Sequence, residues 1–238
     1  MRFRYKPWVQ PELEASPIVC MDSEKHKNNW SQFFENPELP LSLELGCGKG
    51  RFISALAKTR PSYNYLGIDM ETHALIYAKQ KLETEHLGNA RLLWHDISKS
   101  ADFFADGEAS EIFINFPNPW PKKRQQKRRL THPRQLIQYR KYLKMGGEIW
   151  FKTDDQDLYE ASLIYFPLMG FEILDSTENL QSDINSDPRN IMTEYEERWR
   201  KAGIKIKAIY AKKVPADEIE LGKILENFQD FARDDLPN

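Results

Sequence analysis

The fold is decided by the stretch LSLELGCGKGRFISALAKTR, which occupies residues 41–60. It begins with an apolar run from Leu41 to Leu45 that carries one acid, and glycines follow at once at positions 46, 48 and 50. Apolar residues then recur at positions 52, 53, 56 and 57, which is the spacing of one helix face. The stretch therefore predicts a strand, a tight loop and a helix, and Arg60 and Pro61 end that helix.

Outward from this unit, short apolar runs alternate with helical patterns. Further strands are predicted at 63–68, 91–94, 111–116 and 148–152, near Phe171 and near Ile204. Helices are predicted around 75–82, after a Thr131 cap, and over 156–169, 194–201 and 219–228. Gly88 is expected to end the first of these as a left-handed cap. Strands that alternate with helices of ten or more residues indicate a parallel sheet covered on both faces.

Polar residues stand where several of these strands end. They are Glu44, Asp69, Asp96, Asn118 and Asp154. Ligands of parallel sheets gather at the carboxyl ends of the strands. A single acid there is commonly solvated or a helix cap, but acids at three successive strand ends behind one glycine loop favour a ligand site.

The composition is that of a globular protein. The chain has 238 residues, of which 40% are hydrophobic and 29% charged, enough to bury a core. Its net charge of −2 gives no overall attraction to nucleic acid, so such affinity needs a local patch. Cys20 and Cys47 lack paired ligand spacing, and we predict reduced thiols and no metal site. We find no signal-peptide core or membrane-span pattern, and we expect a cytoplasmic protein without membrane contact.

We predict one main domain with short appendages. The lead-in arm covers residues 1–40, the main domain covers 41–213, and an acidic extension covers 214–238. Within the arm, the cations Arg2, Arg4 and Lys6 interleave with Phe3, Tyr5 and Trp8. This pattern fits either an RNA-contacting surface or an ordinary chain terminus.

The glycine loop is compatible with a dinucleotide or with S-adenosylmethionine, since both need backbone close to a ligand at the start of a helix. A dinucleotide loop reads Gly-x-Gly-x-x-Gly, but this chain has Arg51 at the third glycine position. Glu44 would repel a pyrophosphate and suits a ligand with ammonium and sulfonium charges. Asp69 can accept the ribose hydroxyls and Asp96 the adenine amino group. The pattern favours S-adenosylmethionine, bound by Glu44, Gly46, Gly48, Asp69 and Asp96.

A basic run, KKRQQKRR, follows the fourth strand at residues 122–129 and places six cations in eight positions. Charge runs are usually solvated faces. This run lies next to the expected ligand site, however, and each phosphate it neutralised would contribute roughly 0.7 to 0.9 to the logarithmic salt slope. The run can therefore bind RNA despite the acidic total.

The residues before the run, FPNPW at 116–120, stand where amino-methyltransferases carry an Asn-Pro-Pro-aromatic motif. The amide and a proline carbonyl of that motif accept hydrogen bonds from an exocyclic amine. The match is imperfect because Trp120 replaces the second proline. A rigid proline turn with a buried indole is the alternative interpretation.

Five blocks together resemble the bacterial tRNA (guanine-N7)-methyltransferase family. They are LELGCGKG from Leu43, GID from Gly67, NFPNPWPKKR from Asn115, FKTD from Phe151 and MTEYE from Met192. The resemblance runs from near residue 1 to about Lys213. It implies a Rossmann-like class I methyltransferase fold with a mostly parallel seven-stranded sheet, S-adenosylmethionine as cofactor, tRNA as partner, and methyl transfer to N7 of a guanosine in the variable loop.

The resemblance also implies roles for individual residues. Glu44, Asp69, Asp96 and Asn118 would line the cofactor and the reaction centre, with Asn118 as catalytic candidate although the family usually has aspartate there. The substrate would be held by Lys122, Asp154, Thr193, Glu194, Tyr195 and Glu196. Guanine presents donors at N1 and N2, so Glu196 or Asp154 can accept both. For Glu194 and Glu197, we prefer the interpretation of helix-surface charges.

Three other functional classes stay open on the sequence. An exocyclic-amine methyltransferase would place the methyl group on N6 of adenine or N2 of guanine. A nicotinamide oxidoreductase is disfavoured by Arg51. A non-catalytic RNA-binding protein would keep the basic run but would have no use for the acids at the strand ends.

Overall fold

The computed structural model describes residues 6–180 and 187–228, which form one sheet with helices on both sides. The strands are β1 (Val19–Cys20), β2 (Leu41–Leu45), β3 (Asn64–Asp69), β4 (Ala90–Trp94), β5 (Ala109–Asn115), β6 (Leu143–Thr153), β7 (Phe171–Thr177) and β8 (Lys207–Lys213). The helices are α1 (Val9–Glu14), α2 (Arg51–Thr59), α3 (Thr72–Thr84), α4 (Ser100–Phe103), α5 (Pro133–Tyr142), α6 (Gln156–Leu168), α7 (Glu194–Lys201) and α8 (Glu218–Glu226). The interpretations of residues 2–5 and 229–238 lie outside the described residues.

The strand order is β1-β4-β3-β2-β5-β6-β8-β7. All pairs up to β6 are parallel, and β8 runs antiparallel to both β6 and β7. The mostly parallel Rossmann-like sheet is thus confirmed, but its count of seven strands is wrong by one. The additional strand, β1, joins the edge through Val19 opposite Leu92 and Cys20 opposite Leu93. Two residues are too short to show a periodic pattern, so β1 is invisible in the sequence.

The sheet separates two apolar clusters. One contains side chains of α1, α2 and α3, and the other contains side chains of α4, α5, α6 and α8. Strands β2, β3 and β4 are buried nearly throughout, as expected where helices cover both faces of parallel strands. None of the described helices has both the length and the apolarity to cross a membrane.

Two local predictions are wrong. His132, not Thr131, caps α5, because its ring nitrogen accepts the N–H of Arg134 at 3.1 Å. The left-handed residue after α3 is His86, with φ of 52°. Gly88 serves a different purpose, since a Cβ there would lie 2.3 Å from the Glu35 carboxylate.

Both chain ends of the described part pack onto the domain. Val9 and Leu13 of α1 are buried in the cluster of α3, and Lys79 pairs with Glu12 at 3.2 Å. At the other end, Arg140 holds the start of α8 through Glu218 at 2.7 Å. The lead-in and the first part of the acidic extension are therefore packed on the same body as the main domain.

We expect Gly50→Ala to lower the free energy of unfolding by about 1–3 kcal/mol. Gly50 has φ of +74°, and an added Cβ would lie 2.8 Å from the Ala78 Cβ. Backbone conformation and close packing with α3 both oppose the new methyl group. Urea denaturation without added ligand measures the change.

Gly222→Ala is the matched control, because a Cβ at this position in α8 meets no atom within 4 Å. We expect it to leave stability unchanged or to raise it by up to about 1 kcal/mol. Equal stabilities for the two variants would contradict the account of Gly50.

Candidate active site

The glycine loop after β2 is tied to the end of β3. Gly46 N and Cys47 N both donate to the Ile68 carbonyl, at 2.8 and 3.1 Å, and Gly48 N donates to Asp69 Oδ2 at 2.8 Å. A Cβ at Gly46 or Gly48 would meet no atom within 4 Å. The loop therefore presents bare backbone to open space at the start of α2, as close approach of a ligand requires.

Glu44 is buried beside this loop, with 4% of its surface exposed. Its Oε1 accepts the amide of Asn115 at 3.2 Å, while Oε2 has no hydrogen-bond partner among the described residues. The pKa of Glu44 is raised to about 8, mainly by burial; the hydrogen bond from Asn115 opposes the rise, the charge of Asp69 adds to it, and the backbone N–H of Ile53 opposes it. An orphaned buried acceptor is costly, and a cationic ligand group would satisfy it.

Asp69 ends β3 and organises the backbone around it. Its two carboxylate oxygens accept the N–H groups of Gly48 at 2.8 Å and Glu71 at 2.9 Å. Burial raises the pKa of Asp69, and these two hydrogen bonds oppose the rise. Each carboxylate oxygen can accept more than one hydrogen bond, so the group keeps capacity for a ligand hydroxyl.

A cleft of about 300 Å³ opens beside the ends of β3 and β4. It is lined by Met21, Met70, Trp94, His95 and Asp96. The Trp94 indole N–H donates to the Met70 carbonyl at 2.9 Å, which holds the ring in place. Asp96 caps a short turn by accepting Ser98 N at 2.9 Å. Apolar walls with a carboxylate at the edge fit a flat ring that carries an amino group.

The proline loop after β5 has a strained backbone. Phe116 and Trp120 adopt φ values of 50° and 44°, which non-glycine residues rarely take. Asn118 is exposed, and its Oδ1 accepts the N–H of Trp120 at 3.2 Å. Arg129 donates to the Pro119 carbonyl at 2.8 Å. Two hydrogen bonds, one from Trp120 N–H to Asn118 and one from Arg129 to Pro119, therefore hold the loop. The indole of Trp120 is only partly buried.

The basic run forms a short 3-10 helix over Lys123–Arg128. Its cations divide into two groups. Arg129 is buried and supports the proline loop. The others are exposed at positions 122, 123, 124, 127 and 128. They form a cationic surface next to Asn118.

Thr193 and Glu196 are buried at the start of α7. Thr193 caps the helix, since its hydroxyl accepts Glu196 N at 3.0 Å. Glu196 is 1% exposed, and its carboxylate pairs with Lys152 at 3.2 Å and with Arg200. Both oxygens are therefore engaged within the protein, and the carboxylate has almost no exposed surface in this structure.

Lys152, at the end of β6, holds the segment that leads into α7. Its ammonium group donates to Asn190 Oδ1 at 2.6 Å, to the Ile191 carbonyl at 3.1 Å and to Glu196. Burial lowers the pKa of Lys152, while the charge of Glu196 opposes that effect. Three acceptors compensate this buried cation.

Tyr195 is exposed against the proline loop, and Asp154 follows two residues after Lys152, whose carbonyl accepts the N–H of Phe116 at 2.9 Å. Tyr195 is 59% exposed and lies parallel to Phe116, with ring centroids 6.3 Å apart and planes at 22°. Asp154 is partly buried, and its backbone carbonyl accepts Lys207 Nζ at 2.9 Å. Glu194 and Lys122 are exposed. The structure thus brings α7 and the proline loop together.

The sequence of this chain has close relatives among known proteins. Residues 38–209 match a family model described as "Putative methyltransferase". The chain is 44% identical over 221 residues to the tRNA (guanine-N(7)-)-methyltransferase of Clostridium perfringens (strain SM101 / Type A), which covers 90% of this chain and 100% of that protein. The enzyme of the same name from Desulfitobacterium hafniense (strain DSM 10664 / DCB-2) is 43% identical over 208 residues, covering 87% and 96%. This chain belongs to the tRNA (guanine-N7)-methyltransferase family.

Solved structures agree with the fold of this tRNA (guanine-N7)-methyltransferase family member. The 16S rRNA methyltransferase KamB superposes with a TM-score of 0.58 at 12% identity, covering 79% of this chain and 94% of that one. An antibiotic-related methyltransferase gives a TM-score of 0.54 at 19% identity, covering 82% and 94%. Both support the class I methyltransferase fold.

The site of this methyltransferase fits S-adenosylmethionine. Glu44 offers an unpaired acceptor, Gly46 and Gly48 leave space beside the backbone, and the cleft at Asp96 has apolar walls. Sequence reasoning missed several contributors, namely Met21, Met70, Trp94, Asn115, Lys152 and Arg200. Lys152 carried a signal, since a cation between Phe151 and Thr153 in a buried strand needs partners. Met21 carried none.

We expect Glu44→Gln to remove part of the pH dependence of stability of the ligand-free protein. The folded protein keeps the Glu44 proton between the usual pKa of 4.5 and about 8, whereas the unfolded chain releases it. The free energy of unfolding therefore falls as pH rises through that window, by roughly 1.4 kcal/mol for each pH unit crossed. Urea denaturation at pH 5 and pH 9 checks this, with the variant the more stable protein at pH 9.

The same variant is expected to bind S-adenosylmethionine at least about tenfold more weakly at pH 8, because one charge pair is lost. Calorimetry measures the affinity, and the exposed residue Glu38 supplies the control variant Glu38→Gln. Unchanged cofactor affinity in Glu44→Gln would rule out the proposed contact.

Proposed function

We propose that this chain transfers a methyl group from S-adenosylmethionine to N7 of a guanosine in the tRNA variable loop. The observation that carries the proposal is the 3.2 Å hydrogen bond between Asn115 and Glu44. It ties the carboxylate of the cofactor site to the end of β5, from which the proline loop and the basic run continue. The names of the relatives supply the substrate class. A tRNA substrate also leads us to propose a cytoplasmic location.

The reaction depends mainly on the correct positioning of the two reactants. S-adenosylmethionine supplies, when bound, a methyl group activated by its sulfonium charge. N7 of guanine has an in-plane lone pair and carries no proton, so the chain needs no general base. Its residues must instead orient the two reactants. In the best intramolecular cases, such orientation lowers the activation free energy by on the order of 7 to 11 kcal/mol. For that task the chain offers the proline loop, which Arg129 tethers, and α7, which Thr193 caps.

Guanine recognition is assigned to the accessible residues of the site. Glu196 is 1% exposed and Asp154 is only partly buried, so we propose Asp154 as the carboxylate that accepts the N1 and N2 donors. Tyr195 offers an exposed ring face for stacking, with Phe116 behind it. Thr193 and Glu196 act by ordering the start of α7, and Glu194 lies on the adjoining surface. Lys122 and its neighbours neutralise phosphates.

Asn118 has a polarising role in this proposal. Positive charge moves onto the purine ring during transfer, and an amide oxygen offers a dipole rather than a full charge. In the structure that oxygen also accepts the Trp120 N–H. Asn118 therefore shapes the turn that lies next to the reacting base. Its amide oxygen adds a partial negative charge to this loop, close to the purine ring that becomes positive.

Incubation with labelled S-adenosylmethionine and unmodified tRNA tests the function. We expect label at N7 of a variable-loop guanosine, located by nuclease digestion and mass spectrometry. A tRNA with 7-deazaguanosine at that position lacks the accepting lone pair and is expected to stay unlabelled. Label on an exocyclic amine would instead identify an amine methyltransferase, and RNA binding without transfer would identify a binding protein.

We expect Asn118→Asp to keep or raise turnover. A carboxylate oxygen can accept the Trp120 N–H as the amide does, and its full charge would stabilise the cationic product more strongly. Asn118→Leu, which removes the acceptor, is expected to lower the rate at least tenfold. Single-turnover rates and cofactor affinities separate catalysis from binding; a large loss of rate in Asn118→Asp with intact cofactor binding would contradict the assignment.

A further inference from the structure

A second cationic surface lies on the other side of the glycine loop. Trp8 and Tyr77 are 48% and 46% exposed. The ammonium group of Lys6 lies 5.5 Å from the Trp8 ring and 6.0 Å from the Tyr77 ring, and that of Lys49 lies 5.5 Å from the Tyr77 ring. We name Lys6, Trp8, Lys49 and Tyr77 the N-terminal aromatic surface.

This surface is built on packed elements. Trp8 immediately precedes α1, whose Val9 and Leu13 are 1% and 0% exposed against α3. Lys79 of α3 pairs with Glu12 of α1 at 3.2 Å and with Glu83 at 3.0 Å. The buried contact and the Lys79–Glu12 ion pair therefore fix α1 against α3, and the ammonium group of Lys6 lies within 6.0 Å of both aromatic rings.

The strand order places this surface beside the reaction site. Lys49 belongs to the glycine loop at the end of β2, and Tyr77 belongs to α3, which follows β3. β3 flanks β2 on one side and β5, which leads into the basic run, flanks it on the other. The two cationic surfaces thus lie on opposite sides of the end of β2, where the cofactor site is.

We infer that the N-terminal aromatic surface is a second contact for the tRNA, which stacks an unpaired base on Trp8 or Tyr77 and neutralises phosphates with Lys6 and Lys49. This inference rests on the proposed function. Aromatic faces interleaved with cations are the usual means of binding single-stranded nucleic acid. A protein partner fits less well, because lysine is depleted from protein interfaces.

The test measures tRNA affinity of the full chain by filter binding at fixed salt. We expect Trp8→Ala/Tyr77→Ala to raise the Kd for unmodified tRNA about tenfold, roughly the loss of one stacked base. Trp8→Phe/Tyr77→Phe keeps two ring faces and is expected to stay within about threefold of wild type. Cofactor affinity and the rate at saturating tRNA are expected to be unchanged. Ile219→Ala, on exposed α8, is the matched control.

A second measurement addresses charge. Lys6→Gln is expected to reduce the slope of log K against log salt by roughly 0.7 to 0.9, the contribution of one phosphate contact. An unchanged slope together with an unchanged affinity in the double alanine variant would overturn the inference. Sedimentation without RNA provides a further check, because a change of oligomeric state in the double variant would assign the surface to a second copy of the chain and also overturn it.

The outcome is separable from that of the proposed function. Wild-type protein that methylates tRNA while the double alanine variant binds it equally well would refute this inference alone. Wild-type protein that binds tRNA through this surface but transfers no methyl group would refute the proposed function alone.

Discussion

The contact of the glycine loop with the end of β3 is the constraint on which the site depends. Two N–H groups converge on the Ile68 carbonyl, and a third reaches Asp69. Such close approach demands small residues on both sides, and a Cβ at Gly67 would meet the Cys47 side chain at 2.9 Å. Because the loop is pinned in this way, its remaining backbone faces the space that a cofactor needs, and Asp69 is positioned by the same bonds.

Long-range ion pairs join α2, which follows the glycine loop, and β6 to α7 and the segment that leads into it. Arg51, the first residue of α2, pairs with Glu197 of α7 at 2.7 Å. Lys152 pairs with Glu196 at 3.2 Å, and Arg189, in the segment that leads into α7, pairs with Glu148 at 2.6 Å. The Arg51–Glu197 pair is exposed and contributes little to stability by itself. The buried Lys152 pair has a larger effect, because loss of either partner would leave an uncompensated charge.

The site also contains features that ordinarily lower the stability of a folded protein. Glu44 is a buried carboxylate with an unsatisfied oxygen, and Phe116 and Trp120 have left-handed backbone conformations. Such features persist only where the surrounding structure holds them. Here the surroundings are the central strands β2 and β5 and the buried side chain of Arg129, which brace the loop against relaxation.

The sequence by itself determined the alternating order of elements, the parallel sheet and the strand ends at which acids gather, because these follow from local periodicity and from short-range turn chemistry. It also placed α7, whose capping threonine and first-turn acids are local signals. Only the tertiary structure decided that β1 brings Met21 to the cleft, that Lys152 engages Glu196, and that the Lys6 ammonium group lies within 6.0 Å of the Tyr77 ring. Each of these joins residues far apart along the chain, and such contacts are set by the packing of complete elements rather than by any pattern within one of them.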